Sequence, residues 1–587
     1  PMEIKGVKGT LFAVWAPNAI SVNVVGDFNG WIGRATIMHR MPMSGIFELF
    51  LPGVKAGAHY KYEIKVKGGE VLLKADPYGN AAEHDPEGAS VVADVSSFTW
   101  NDADWMEERS RFDNRKQPVS IYETSLEEWE SAEELVEFLA EEDFTHVELH
   151  PVMEYLDDIT GGYSTYAYYA PTSRFGTPQD FQKLVDELHQ AGIGVLLDWT
   201  PAQFPRYACG LERFDGTPLY ERHKEAEDIH PFWGTLLYNY ASPMVKDFLI
   251  SNACFWAEVY HADGLRMDDV DAMLYLDYGR ENGQWTPNIY GGNKNLEAIE
   301  FFKHLNSVVL GRNHGAMMIA EESTAWPKVT GKPEEDGLGF SHKWNMGWMN
   351  DFLEYMKLDP YFRKWNHNKM TFSMTYAYAE KYILVLSHDE VVHLKCSMIN
   401  KMPGLYDDKF ANLRAGYAYM LGHPGKKLLF MGQEFAQLQE WSEARELDWY
   451  LLAEDKHQQM QNYVKALLHL YKKTPALYDA DQDPCGFEWI NADDADRSIF
   501  SFVRHSKDGK SNLLFVINFT PVARPDYRVG VPKRKQYRLV LDGDAAEFGG
   551  NTTERPVVYK AVKSECDGRE YSFAYDLPAY GIAIFKF

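Results

Sequence analysis

Four stretches of the chain place acidic residues at the ends of apolar runs: GIGVLLDW at Asp198, ADGLRMD at Asp268, AMMIAEE at Glu321 and Glu322, and YILVLSHDE at Asp389 and Glu390. Arg266 lies two residues before Asp268, and His388 directly precedes Asp389. On a strand, residues two apart share a face, so Arg266 and Asp268 can point into one pocket, with Asp269 turned away. Retaining cleavage of a glycosidic bond needs this kind of set: one carboxylate attacks, a second carboxylic acid protonates the leaving oxygen, and the two lie about 5–5.5 Å apart. A guanidinium keeps the nucleophile ionised, and a neighbouring negative charge helps the acid hold its proton. Asp268 beside Arg266 fits the first role and a glutamate of the AEE pair the second. Alternation alone leaves Glu321 and Glu322 open. Asp389 is suited to hydrogen-bond sugar hydroxyls and favour a distorted ring. The plainer alternative is that these acids cap helices or form ordinary salt bridges, and the combination of R-x-D, A-E-E-S and S-H-D-E at strand ends argues against it.

Positioning four strand ends around one pocket calls for a parallel barrel, whose active sites gather at the C-terminal ends of the strands. Eight candidate strands run along the middle of the chain: VSIYET, THVELHP, GIGVLLDW, ADGLRMD, AMMIAEE, SHKWN, YILVLSHD and KKLLFMGQE. Helical patterns such as AEELVEFLAEE, PQDFQKLVDELHQAG and LEAIEFFKHLNSVVLG lie between them. The alternation predicts an α/β chain with a (β/α)₈ TIM barrel over residues 119–484. Residues 1–105 read as short alternating runs broken by Gly, Asn, Asp and Pro, an N-terminal β-sandwich. Residues 106–118, MEERSRFDNRKQP, read as a linker, and residues 485–587 as a C-terminal all-β domain. The irregular segment at 200–242 is a long loop of the functional kind.

Bulk properties agree. The length of 587 residues suggests roughly three or four domains. With 59 Lys and Arg against 86 Asp and Glu, the formal charge of −27 repels nucleic-acid phosphates and anionic membrane surfaces. A neutral partner is easier to accept. The five scattered cysteines form no C-x-x-C pair, so neither a disulfide framework nor a structural zinc is expected and a reducing cytoplasm fits. The first residues, PMEIKGVKGT, show no basic start followed by an apolar stretch, and no secretory leader is expected.

GLRMDDV, MIAEESTAWP and LSHDEVVH resemble strand motifs of the α-amylase superfamily. FAVWAPNAISVNVVGDFNGW and KADPYG are similar to its starch-type carbohydrate-binding module, in which Trp31 either stacks on glucan or packs in the sandwich core. YAPTSRFGTPQDFQKLVDELHQAGIGVLLDW, KWNMGWM and HPGKKLLFMGQEF bring the likeness closest to glycogen branching enzymes, over nearly the whole chain.

The resemblance implies Asp268 as nucleophile, Glu321 as general acid/base and Asp389 as transition-state stabiliser. It also implies Arg266, His388, Asp198 and Tyr163 around the glucose at the cleavage point. The implied reaction cuts an α-1,4-glucan and moves the released chain to a glucose 6-hydroxyl. The same chemistry with water as acceptor, or glucan binding with little turnover, are the alternatives. No organic cofactor or catalytic metal is implied. The expected partner is α-glucan polysaccharide, and the chain is expected to be a monomer or a small homo-oligomer.

Several positions depart from the family pattern. DWTPAQ puts Gln203, a further substrate contact, where the family has His. TGGYST puts Gly162 beside Tyr163 in place of an aromatic residue. HDEVVHLKCS puts Leu394 and Cys396 where glycines are usual, and Asp269 replaces Ala. IYETSLEEW, residues 121–129, loses a His and a Gly.

Overall fold

The computed structural model describes residues 1–84, 87–126, 132–157, 160–224 and 227–587. All eight predicted strands are present: β1 (Ser120–Thr124), β2 (His146–Leu149), β3 (Gly194–Trp199), β4 (Gly264–Met267), β5 (Met317–Ala320), β6 (His342–Trp344), β7 (Tyr382–Leu386) and β8 (Lys426–Phe430). They close into a barrel in the order β2-β3-β4-β5-β6-β7-β8-β1. Every residue of β1 to β5 is buried. Strands covered on both faces read as continuous apolar runs for this reason. The helices between them start on recognisable signals. Thr177 caps Pro178–Gln190, accepting from Asp180 N while Asp180 accepts in return. Asn295 caps Leu296–Arg312, and Asn345 caps Met346–Lys357.

The N-terminal region forms two antiparallel sheets. One contains Met2–Ile4, Val7–Trp15, His39–Arg40 and Ile46–Pro52; the other contains Ser21–Gly26, His59–Lys65, Val71–Lys74 and Ser90–Val91. The KADPYG stretch explains itself here. The buried Asp76 carboxylate accepts from the hydroxyls of Tyr60 (2.7 Å) and Tyr62 (2.9 Å), and Lys74 donates to the carbonyls of Ala208 (2.8 Å) and Glu212 (2.7 Å) in the long loop.

The stretch expected as a linker differs in part. Ala103–Arg111 is a helix. Its charged sequence hides two anchors: Trp105 Nε1 donates to Asp263 Oδ1 (3.0 Å), and Arg109 Nη1 pairs with the same oxygen (3.3 Å).

The C-terminal region holds a six-stranded and a three-stranded antiparallel sheet. Val503, Leu514, Val529, Phe573 and Phe585 are among the residues of the core they share. Arg504 donates to the carbonyls of Gly422 (2.9 Å) and Leu477 (3.3 Å) and pairs with Asp481 (2.8 Å).

The chain divides into two compact units. The first comprises Pro1–Arg111, Ser125–Val136 and Glu148–Phe340; the second comprises Phe112–Thr124, Glu137–Val147 and Ser341–Phe587. The ends of β3, β4 and β5 belong to the first unit, and those of β1 and β7 to the second.

Candidate active site

In the first unit, strand register sets the site. β3 and β4 pair with Asp198 opposite Arg266, and β4 and β5 pair with Met267 opposite Ala320. Asp268 and Glu321, the next residues on each strand, therefore leave the barrel wall at the same height. Backbone bonds continue the alignment past the strands: Asp268 N–H donates to Trp199 O (3.1 Å), Glu321 N–H to Met267 O (3.0 Å) and Val270 N–H to Glu321 O (3.1 Å).

Arg266 is fully buried and organises the charges. Its Nη1 bonds Asp268 Oδ1 and lies 3.4 Å from Glu321 Oε2, so both carboxylates reach the same nitrogen. Its Nε lies 3.2 Å from Asp198 Oδ1 and 3.9 Å from Glu148 Oε1. Burial pulls the guanidinium pKa down, but Asp198, Tyr163, Asp268 and Glu321 more than offset this and hold it well above its already high ordinary value. Tyr163 donates to Asp198 Oδ2 at 2.6 Å, and its ring lies 6.0 Å from the guanidinium. Burial, and next the Asp198 charge, push the phenol well up, so it stays a donor.

The two glutamates after β5 are now distinct. Glu321 sits beside Arg266 and is about one-fifth exposed. Glu322 is buried and accepts from the backbone N–H (2.7 Å) and the hydroxyl of Thr324. Asp269 does turn away from Asp268: its carboxylate meets His230 Nε2 at 3.0 Å.

In the second unit, His388 and Asp389 follow β7. Glu123, fully buried near the end of β1, accepts from His388 N–H (3.2 Å) on one oxygen and meets Nδ1 with the other. The other ring nitrogen lies 3.4 Å from Asp389 Oδ1, whose side chain is nearly half exposed. Glu123 and Glu148 were not singled out in the sequence. The rule that found the other acids applies to them, since IYET and HVEL each carry a glutamate in an apolar barrel run.

Gln203 lies on the short strand Gln203–Phe204, paired with Leu236–Leu237. Its Oε1 accepts from the Thr235 hydroxyl and its carbonyl from Tyr168 Oη (2.9 Å). Gly162 has φ +91°, which L side chains rarely adopt, and a Cβ there would press on Pro151 O at 3.1 Å. Trp31 is 42% exposed in a turn with φ +63°. Trp344 and Trp348 are buried core residues. Glu434 is buried and accepts from the Tyr122 hydroxyl (3.2 Å), and burial pushes its carboxyl up to about 8. Residues 127–129 of IYETSLEEW lie outside the described residues.

Two family models match the flanking domains: carbohydrate-binding module 48 (isoamylase N-terminal domain) over residues 2–79, and the α-amylase C-terminal all-β domain over residues 489–587. Among solved structures, pullulanase type I from Bacillus subtilis, complexed with maltose, aligns over 98% of this chain and 83% of its own with a TM-score of 0.73 at 17% identity. A putative α-amylase from Salmonella typhimurium aligns over 98% and 97% with a TM-score of 0.69, also at 17% identity. A closed parallel barrel between these two β-domains is the architecture of the α-amylase superfamily. Within it, the relatives named 1,4-α-glucan branching enzyme GlgB from Butyrivibrio fibrisolvens (54% identity over all of this chain and 94% of that one) and Rubrobacter xylanophilus (50% over 98% and 81%) settle the family. The chain belongs to the 1,4-α-glucan branching enzymes.

Proposed function

We propose that the chain is an α-glucan branching transferase in which Asp268, Glu321 and Asp389 carry the chemistry. The observation that supports this most is the shared Arg266 Nη1, which brings a carboxylate from β4 and one from β5 to the same nitrogen at equal height. In the first step, Asp268 attacks the anomeric carbon of an α-1,4 bond while Glu321 gives its proton to the departing 4-oxygen. A covalent glycosyl-enzyme and a shortened chain result. In the second step, Glu321 takes the proton from a glucose 6-hydroxyl, whose oxygen displaces Asp268 from the anomeric carbon. The product is an α-1,6 branch, and both carboxyl groups return to their starting states.

Arg266 Nη1 bonds Asp268 Oδ1 and orients that carboxylate for attack. Asp198, Tyr163 and His388 bind the glucose at the cleavage point, and Asp389 holds its hydroxyls as the ring flattens. Gln203 contributes to the same substrate region, and Trp31 provides a separate glucan contact on the N-terminal module. Relatives named branching enzyme over the full chain support a sugar hydroxyl, rather than water, as the acceptor. We place the reaction in the cytoplasm. Five unpaired thiols fit a reducing compartment, and no helix of the described residues is long and apolar enough to cross a membrane.

The test is incubation with amylose, followed by debranching and a count of reducing ends before and after. Branching adds α-1,6 links without a matching rise in free reducing ends, and Asp268→Ala abolishes it. New reducing ends without branches would sink the transferase reading in favour of hydrolysis. Glucan binding without turnover, unchanged by Asp268→Ala, would sink both.

A further inference from the structure

Two departures from the family pattern, Gln203 and Asp269, meet on one surface turn of the first unit. Residues 230–235, HPFWGT, are closed by His230 N–H to Thr235 O (2.8 Å) and Gly234 N–H to His230 O (3.0 Å). Gln203 accepts from the Thr235 hydroxyl at the base of the turn. The buried His230 ring accepts the N–H groups of Phe232 (3.3 Å) and Trp233 (3.4 Å) on Nδ1. A ring that accepts on Nδ1 carries its proton on Nε2, and that nitrogen donates to Asp269 Oδ2 at 3.0 Å. Asp269 has φ +58°, a left-handed conformation that Asp tolerates better than most residues. The turn is thus fastened from within by two side chains, one of them adjacent in sequence to Asp268.

The fastened turn presents Phe232 and Trp233 to solvent at 65% and 68% exposure. Tyr278 packs edge-on to Phe232 (5.9 Å, 90°) and lies 6.3 Å from the His230 ring. Its phenol pKa is pushed up by burial first, and the charges of Asp271, Asp269, Glu321 and Asp268 add to the rise. The neighbouring Gly279 leaves space for this packing, since a Cβ there would fall 2.8 Å from the Phe232 ring. Exposing two large rings forgoes roughly 1.5–3 kcal/mol each. Apolar patches held in water in this way mark binding surfaces. A flat ring suits the C–H face of a pyranose, and a contact without ionic groups suits a neutral polymer on a chain of charge −27.

We propose that Phe232 and Trp233 form a stacking platform for the α-1,4-glucan chain leading to Asp268. His230, Asp269 and Gln203 are positioning residues that hold the platform rigid. The identity of the ligand rests on the branching reading. The platform accounts for both departures together: each replaces a family residue with one whose side chain bonds the 230–235 turn.

The experiment uses the full chain and two readouts, the Kd for maltoheptaose by calorimetry and KM and kcat for amylose branching, with melting temperature as the folding control. Trp233→Ala raises Kd and KM about five- to tenfold while kcat changes little. Asp269→Ala, which frees His230, raises KM in the same direction. Asp269→Asn keeps an acceptor for Nε2 and recovers the parent KM. If Trp233→Ala melts early, Phe232→Ala, whose ring is equally open, carries the same measurement. Unchanged Kd and KM in a folded Trp233 or Phe232 variant would overturn the platform, and an Asp269→Ala chain indistinguishable from the parent would overturn the latch. Because binding is read apart from transfer, a chain that binds maltoheptaose but releases only reducing ends refutes the branching reading, while the platform is still decided by Kd.

Discussion

Arg266 does work that a lysine could not repeat. One guanidinium faces Asp198 through Nε and Asp268 and Glu321 through Nη1, with Glu148 behind. Its planar fork divides donors among partners on three strands, whereas an ammonium is a single point of charge on a flexible stem. Arg266→Lys is therefore expected to lower kcat for branching by about 10²–10³ and to change KM little, with the melting temperature confirming a folded chain. A kcat within a few-fold of the parent would show that charge alone, and not the fork, sets the carboxylates. At this scale much was legible in the sequence. The acids that follow β4, β5 and β7 stand out because an apolar run that ends in Asp or Glu is unusual. The choice between Glu321 and Glu322 was not legible from alternation, because the chain leaves strand geometry after Ala320 and the period of two no longer applies. Nor were the partners of Gln203 and Asp269 legible, since Thr235 and His230 lie more than thirty residues away and the folded loop alone brings them together.

At the scale of elements, the loop after β7 has a backbone that suits glycine better than the side chains it carries. His393, Leu394 and Cys396 all have positive φ (54°, 65° and 67°), and the family pattern places glycine at the last two. Leu394 and Cys396 thus hold a conformation that glycine adopts freely and other residues do not. Glu440 holds the strained stretch, accepting the N–H of Leu394 at 2.5 Å and of Cys396 at 3.2 Å. Leu394 is 95% exposed, so it gains no packing in return. Each left-handed non-glycine residue costs about 1–2 kcal/mol, partly offset because glycine makes the unfolded chain more flexible. Leu394→Gly and Cys396→Gly are each expected to raise stability by about 0.5–1 kcal/mol, read as a higher melting temperature, and together to add. A lower melting temperature in both would mean that the loop draws its stability from the side chains after all. Most of the eight strands were readable because burial on both faces leaves an apolar run, whereas β6, His342–Trp344, carries a His and a Lys. The helix Ala103–Arg111 was not, because its anchors are a Trp and an Arg inside a stretch of charge, and their partner Asp263 lies some 150 residues further on.

The same Asp263 is the centre of a network that makes the stability of the chain depend on pH. His189, buried at the end of the helix Pro178–Gln190, meets Asp102 at Nδ1 and Asp263 at Nε2, both at 2.8 Å. Asp102 also binds His261 (2.7 Å), and Asp263 also accepts from Val195 N–H (2.7 Å) and pairs with Arg109. With a carboxylate at each nitrogen, the ring is an imidazolium. Burial opposes the charge, but Asp263 and Asp102 overcome it and raise the pKa to about 9, while both carboxyls are held below their usual range. The folded state therefore binds a proton that the unfolded chain releases near pH 6.5. The stabilisation is complete below about pH 6.5 and is lost as pH rises through 9, a change of about 3 kcal/mol. The carboxylates act in the opposite direction, stabilising above about pH 4 and losing that contribution as they protonate in acid. Glu434 and Glu142, raised by burial to about 8 and about 7, also weaken the fold as pH rises from about 4.5. Heating the chain at pH 6.5, 8 and 9.5 is expected to show a falling melting temperature. His189→Gln, which cannot take the proton, should start lower and fall less steeply. Parallel slopes for parent and variant would mean that His189 does not carry the charge on which the network depends.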